Sequence, residues 1–121
     1  MGTYVSIRGW LQCDERQLAA VREIIAGHGD DRYTNGWGAP RRHMNWTHYI
    51  FYGADIRDSA LDWFGDQVRE IARVPASDAD GDLVQGLFLV SHEVEGATEW
   101  QVRGGQLFIA PADIRHRYLD E

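Results

Sequence analysis

Three carboxylates alternate in Asp78-Ala79-Asp80-Gly81-Asp82. Alternate aspartates are the opening of a calcium loop, where oxygen ligands converge on a hard cation. Such a loop needs glycine at its sixth position and a bidentate glutamate at its twelfth. Here glycine is fourth and the twelfth position is Leu89, so the run reads as a solvated acidic turn. His28, His43, His48, His92 and His116 form no His-x-His or His-Glu-x-x-His pattern. No metal and no cofactor is expected from these spacings. His92-Glu93 supplies an acid and a base, but neighbours in a strand point to opposite faces. Cys13 is the single cysteine and precedes a helix start, where the dipole lowers a thiol pKa. Asp14 and Glu15 work against that lowering. An enzyme reading therefore needs Cys13, His92 and Glu93 to be gathered by the fold into a dispersed Cys/His/Glu site.

Other catalytic patterns fail on residue type. There is no Gly-x-Ser-x-Gly elbow, no phosphate-cradling loop and no dinucleotide fingerprint. All twelve basic residues are arginine, and without lysine neither a Schiff base nor a P-loop is available. Arginine favours fixed bidentate ion pairs, which is the expectation for this acidic surface.

Aromatic residues stand out instead, with five tryptophans and five tyrosines in 121 residues. Trp37 lies between two glycines in a long connection, and Trp46 follows that connection. Trp10 falls opposite Val5, Ile7 and Leu11 on its strand, facing away from the core they define. Aromatics and arginines are the usual anchors of protein interfaces. Trp37 has two readings: an interface anchor, or a lid folded back over the edge of the core.

The elements that must carry these residues follow from periodicity. Residues 3–12 alternate as a strand. Asp14 with Gln17 forms a capping box for a helix whose stripe is Leu18, Val21, Ile24 and Ile25, stopped by Gly27 and Gly29. Residues 29–45 are a connection longer than the usual ordered loop, with Asn35-Gly36 as a turn signal and room for a short strand near 32–34. A strand is predicted over 46–52. A second helix carries Leu61, Phe64, Val68, Ile71 and Ala72, with Asp58 or Ser59 as cap, Asp62 completing a box, and Pro75 beyond its end. Leu83 to Val94 is a long strand, apolar on both faces at its centre. Thr98–Val102 and Gln106–Ile109 form a hairpin across Arg103-Gly104-Gly105.

The order β-α-β-α-β-β-β predicts an α+β two-layer sandwich. Its mostly antiparallel sheet has four to five strands, with both helices on one face. The other face is left open in part to solvent or a partner. A single domain over 1–121 suits the length, and about two thirds of the unfolded surface is buried at this size. The formal charge of −7 opposes a broad phosphate-binding surface, so no nucleic acid partner is expected. No apolar run approaches the ~20 residues of a membrane span, and no secretory pattern opens the chain, so a cytoplasmic address without membrane contact is expected.

Several short stretches carry a likeness. Tyr4-Val5-Ser6-Ile7-Arg8-Gly9-Trp10-Leu11, Trp46 with Tyr49 and Tyr52, Gly53-Ala54-Asp55-Ile56-Arg57, and Phe88-x-x-Ser91-His92-Glu93 resemble small bacterial immunity proteins of polymorphic toxin systems. The likeness spans roughly residues 3–110. It implies a cytosolic domain, not an enzyme, that binds and neutralises a cognate protein toxin and shares no catalytic residues with its relatives. An acidic inhibitor suits a basic nuclease, because opposite fields steer association. The residues expected to meet the toxin are Asp30, Asp31, Tyr33, Trp37 and Trp46, with Asp78, Asp80 and Asp82 as a second acidic patch. Trp37→Ala is expected to cost more than about 1 kcal/mol of binding with the fold intact. A small-ligand or peptide-binding module gripping through the open aromatic face is the remaining alternative, beside the dispersed enzyme site.

Overall fold

Alternation along the first strand already separates two faces, and the computed structural model, which describes residues 2–30, 32–40 and 46–120, realises both. Strand β1 (Tyr4–Cys13) buries Val5, Ile7, Leu11 and Cys13 and turns Tyr4, Arg8 and Trp10 outward. Helix α1 (Glu15–Gly27) follows at once. Its capping box is complete: Asp14 accepts from the Gln17 N–H at 2.8 Å, and the Gln17 side chain accepts from the Asp14 N–H at 3.0 Å. Strand β2 (Trp37–Gly38) is only two residues long and comes after the Asn35-Gly36 turn rather than before it. Strand β3 (His48–Arg57) extends well past the predicted end.

Helix α2 (Leu61–Ala72) begins differently from the prediction. A 3₁₀ turn over Asp58–Ala60 leads into it, Ala60 is the cap residue, and no side chain caps the helix. The turn's backbone uses the positions where Asp58 or Ser59 would have capped. Strands β4 (Gln85–His92), β5 (Gly96–Arg103) and β6 (Gln106–Pro111) complete the sheet. Gly104 and Gly105 both have positive φ, 58° and 77°, which only a primed two-residue turn requires and glycine accepts without strain.

The sheet has six strands in the order β2-β3-β1-β4-β5-β6, every neighbour antiparallel. Five of them are the predicted strands; the sixth is the short β2. Both helices cover the face carrying Val5, Ile7, Leu11, Ile50, Ile56, Phe88 and Val90, and one core cluster joins them. Phe64 of α2 is its centre, fully buried and within 5.3 Å of Phe88 and 4.6 Å of Tyr52, ring to ring. Full burial of each such side chain stabilises the fold by about 1.5–3 kcal/mol.

The opposite face is not wholly open. A 3₁₀ segment over Ile114–Asp120 returns across it, and Arg8 donates to the Leu119 carbonyl at 3.2 Å. That covers one end of the face. At the other end Trp10, Tyr49, Phe51 and Phe108 stay 37–49% exposed.

Candidate functional site

The connection after α1 is built from its own polar side chains. Asp30 accepts from the N–H groups of Arg32 and Tyr33 at 2.7 and 2.9 Å, and its own N–H donates to the Thr34 hydroxyl at 2.6 Å. The Asp30 carboxylate thus closes a turn. Asp31 lies outside the described residues. Tyr33 is tied inward twice: its carbonyl accepts from the Tyr52 hydroxyl at 2.8 Å, and its own hydroxyl accepts from the Arg57 N–H at 3.2 Å. Burial, then the nearby Asp30 charge and Tyr33, pushes the Tyr52 phenol well above its ordinary pKa, so it remains a donor.

Trp37 folds back as the lid. Its ring packs on Tyr52 at 4.8 Å, Phe64 at 5.6 Å and Phe88 at 6.2 Å, and its N–H donates to Gln67. Truncating it would open the core, so Trp37→Ala is expected to cost stability as well as any binding. Trp46 is the opposite case, 82% exposed just ahead of β3.

Tertiary structure brings Trp46 to the acidic turn. Two adjoining depressions, about 460 and 510 Å³, are both lined by Trp46, Asp14 and Asp78. The larger also takes in Asp80 and Asp82. The turn is fixed by its backbone: Asp78 accepts from the Asp80 N–H at 3.0 Å, and Gly81 adopts φ 73°. The buried Gln17 amide donates to the Asp82 carbonyl at 2.9 Å and anchors the turn to α1. Burial disfavours an ionised Asp14. The Gln17 N–H, the Ser77 hydroxyl, the Arg16 N–H and the Arg16 charge outweigh it and hold the carboxyl below the ordinary range. Among the described residues no arginine forms an ion pair with Asp78, Asp80 or Asp82. Arg16 lines the smaller depression beside Asp14, and the larger one presents Asp78, Asp80 and Asp82 beside the exposed indole, a combination that attracts cationic groups.

The candidate catalytic groups are not gathered. Cys13 and His92 lie near opposite ends of the β1–β4 ladder, where Val5 pairs with His92 and Gln12 with Gln85. Cys13 is buried, and burial followed by the Asp14 charge pushes its thiol up to about 11. His92 Nδ1 accepts from the N–H groups of Val94 and Glu95, both at 3.1 Å, closing the β4–β5 turn. Glu93 accepts from the Tyr4 N–H at 3.1 Å. Among the described residues no three of His, Cys, Asp and Glu stand close enough together to hold a metal ion.

The arginines depart from the expected ion pairing. The two arginine–carboxylate pairs among the described residues, Arg69–Asp66 at 3.8 Å and Arg115–Asp113 at 3.1 Å, join near neighbours in sequence. Arg57 and Arg103 sit instead over the rings of Tyr4 and Phe108, at 5.8 and 4.1 Å.

Sequence reasoning placed Trp10 outside but missed its company. Register sets Phe51, Trp10, Leu87, Gln101 and Phe108 in one row across β3, β1, β4, β5 and β6. Strand phase carried the signal: Tyr49 and Phe51 alternate with the core residues Ile50 and Tyr52. A depression of about 440 Å³ lies along this row, lined by Trp10, Leu87 and Arg103 among others.

Fold and site together define an α+β two-layer sandwich with an acidic, tryptophan-edged cleft at one end of its sheet. No protein-family model matches the chain, and no curated protein or solved structure matches it. Among the described residues no helix is long and apolar enough to cross a membrane.

Proposed function

We propose that this chain is a cytoplasmic immunity protein that binds a cognate protein toxin and neutralises it by covering a surface the toxin needs. The observation that carries the reading is the meeting of Trp46 with Asp78, Asp80 and Asp82 on one cleft. Tryptophan is enriched among the residues that anchor protein interfaces, and Trp46 is 82% exposed. The carboxylates beside it suit the arginines and lysines of a basic toxin, a nuclease above all, and steer its approach. Asp30, Tyr33 and Trp37 do not line this cleft: Tyr33 bonds Arg57, at the opposite end of β3 from His48 and Trp46, and Trp37 packs on the core.

The test is to find whether a toxin domain is encoded beside this chain and, with that domain, to measure binding and rescue. Trp46→Ala should weaken that complex by at least about tenfold, the 1.4 kcal/mol expected of an interface anchor. Replacing Asp78, Asp80 and Asp82 together with Asn should slow association most at low salt. Unchanged affinity in both variants, with the toxin still neutralised, removes the cleft from the interface. Failure of the wild-type chain to bind or rescue removes the function.

A second reading rests on the row of Phe51, Trp10 and Phe108, which offers an extended peptide an aromatic platform. Loss of peptide binding in Trp10→Ala, with Trp46→Ala silent, would favour it.

A further inference from the structure

Strand β6 ends the sheet: β5 pairs with one side of it, and among the described residues nothing pairs with the other. The ladder decides which of its peptide groups are used. The Ala112 N–H donates to the Ala97 carbonyl at 3.2 Å, just past the end of β6. In an antiparallel ladder, bonded pairs alternate with unbonded ones. Counting back from 97 and 112 by twos, the bonded pairs are Glu99–Ala110, Gln101–Phe108 and Arg103–Gln106. The peptide groups of Leu107 and Ile109 therefore point away from β5, off the edge. Pro111 shares their orientation but has no N–H to offer.

The side chains leave this edge unguarded. Native edges are blunted by charge, proline, bulges or a covering element. Gln106-Leu107-Phe108-Ile109-Ala110-Pro111 carries no charge in a chain of which 26% is charged, and its single proline is at the far end. Phe108 and Ile109 are 37% and 48% exposed, one on each face of the sheet.

We propose that β6 pairs antiparallel with β6 of a second copy of this chain about a two-fold axis at Phe108, joining two sheets into one. The observed edge is self-complementary in that register. The Leu107 N–H meets the partner's Ile109 carbonyl, and the Ile109 N–H meets the partner's Leu107 carbonyl, so each pair exchanges both bonds. Centring the axis on Ile109 instead would set Leu107 against the partner's Pro111, which returns no donor. With the axis at Phe108, that ring faces its own symmetry mate, an aromatic cross-strand pair. Arg103 already lies 4.1 Å over the ring on the same face. Two copies of net charge −7 repel in general, and β6 itself adds no like charge to that repulsion; Arg103 is the charged group nearest the axis. A two-fold pairing of this kind is isologous and closes at two copies. It lies at the opposite side of the sheet order from β3 and Trp46, and it does not depend on the toxin reading.

Sedimentation equilibrium of the full chain, from micromolar to near-millimolar concentration, should show the mass rise from 13.8 kDa to twice that value. Amide exchange should show protection of Leu107 and Ile109 that grows with protein concentration, while Phe108 and Ala110 are protected throughout. Phe108→Asp and Phe108→Lys should each weaken association by about tenfold, since like charges then stand directly opposed. An equimolar mixture of the two should restore it. A chain that stays monomeric with Leu107 and Ile109 exchanging freely overturns the proposal. So does a dimer that neither substitution weakens. The wild-type exchange measurement decides alone if a variant fails to fold.

Discussion

The indole N–H of Trp37 donates to the side-chain oxygen of Gln67 at 3.2 Å, and Gln67 is completely buried on α2. One hydrogen bond thus ties the connection between the first helix and the third strand to the second helix. Trp37 adds ring contacts with Tyr52, Phe64 and Phe88. Trp37→Ala should therefore lower the unfolding free energy by about 3 kcal/mol through the cavity it leaves. Trp37→Phe keeps most of the packing but strands the Gln67 oxygen, at a cost of about 1–3 kcal/mol. Urea unfolding of both variants checks this, and a Trp37→Ala midpoint equal to wild type would contradict the packing.

Gly9 is fixed by the neighbouring strand rather than by a turn. A Cβ there would lie 2.1 Å from the Leu87 carbonyl oxygen and 2.6 Å from the Phe88 Cα. Both of these are backbone atoms, so no side chain can swing aside. Gly9→Ala should destabilise by at least about 2 kcal/mol, at the strong end of overpacking effects. Gly53→Ala, on the strand paired with it, meets nothing within 4 Å and serves as the control. Thermal unfolding of the two variants should separate them clearly.

Asp14 couples the first helix to pH. Its carboxyl titrates below the ordinary value of 3.8 in the folded chain, so the charged form is favoured by folding. The resulting stability is fully present above 3.8 and is lost as pH falls through the lower, folded value. Asp14→Asn keeps a capping side chain without that titration and should flatten this part of the acid limb. Asp14→Ala also loses the cap and should cost about 1 kcal/mol at neutral pH. Unfolding midpoints from about pH 2 to about pH 7, a span that covers the whole carboxylate titration, measure both effects.

Cys13 is a thiol in the folded chain at any pH near neutral, since burial and Asp14 push it up to about 11. Because the folded value exceeds the ordinary value of 9.0, the stability it contributes is complete below 9.0 and is lost as pH rises toward 11. Alkylation at about pH 8 should be slow in the native protein and rapid in denaturant, where the thiol is freed from burial and from the fixed Asp14 charge. Fast native alkylation would place the sulfur in solvent and reopen a role for it as a nucleophile.

Much of the fold was legible because it is written in local periods. The capping box of Asp14 and Gln17, the helical stripe through Phe64, Val68 and Ile71, and the Gly104-Gly105 turn each need only a few neighbouring residues to be specified. The start of α2 was misread for the same reason: Ser59 and Asp62 fit a box, but the chain leaves β3 into a 3₁₀ turn, and Ala60 occupies the cap position. The candidate site was legible as residues and not as a place. Asp78, Asp80, Asp82 and Trp46 were each singled out, yet nothing in the spacing says that they line one cleft.

Sequence alone determined the α+β class, the two faces of β1 and the outward position of Trp10, because side-chain alternation and helical repeat are properties of a single segment. Only the tertiary structure decided that Trp37 closes the core while Trp46 stands in solvent. The same holds for the return of the last 3₁₀ segment over one end of the open face and for the bare outer edge of β6. Each of these depends on which strands become neighbours. Contacts between distant segments are set by the packing of the whole sheet, which no local pattern encodes.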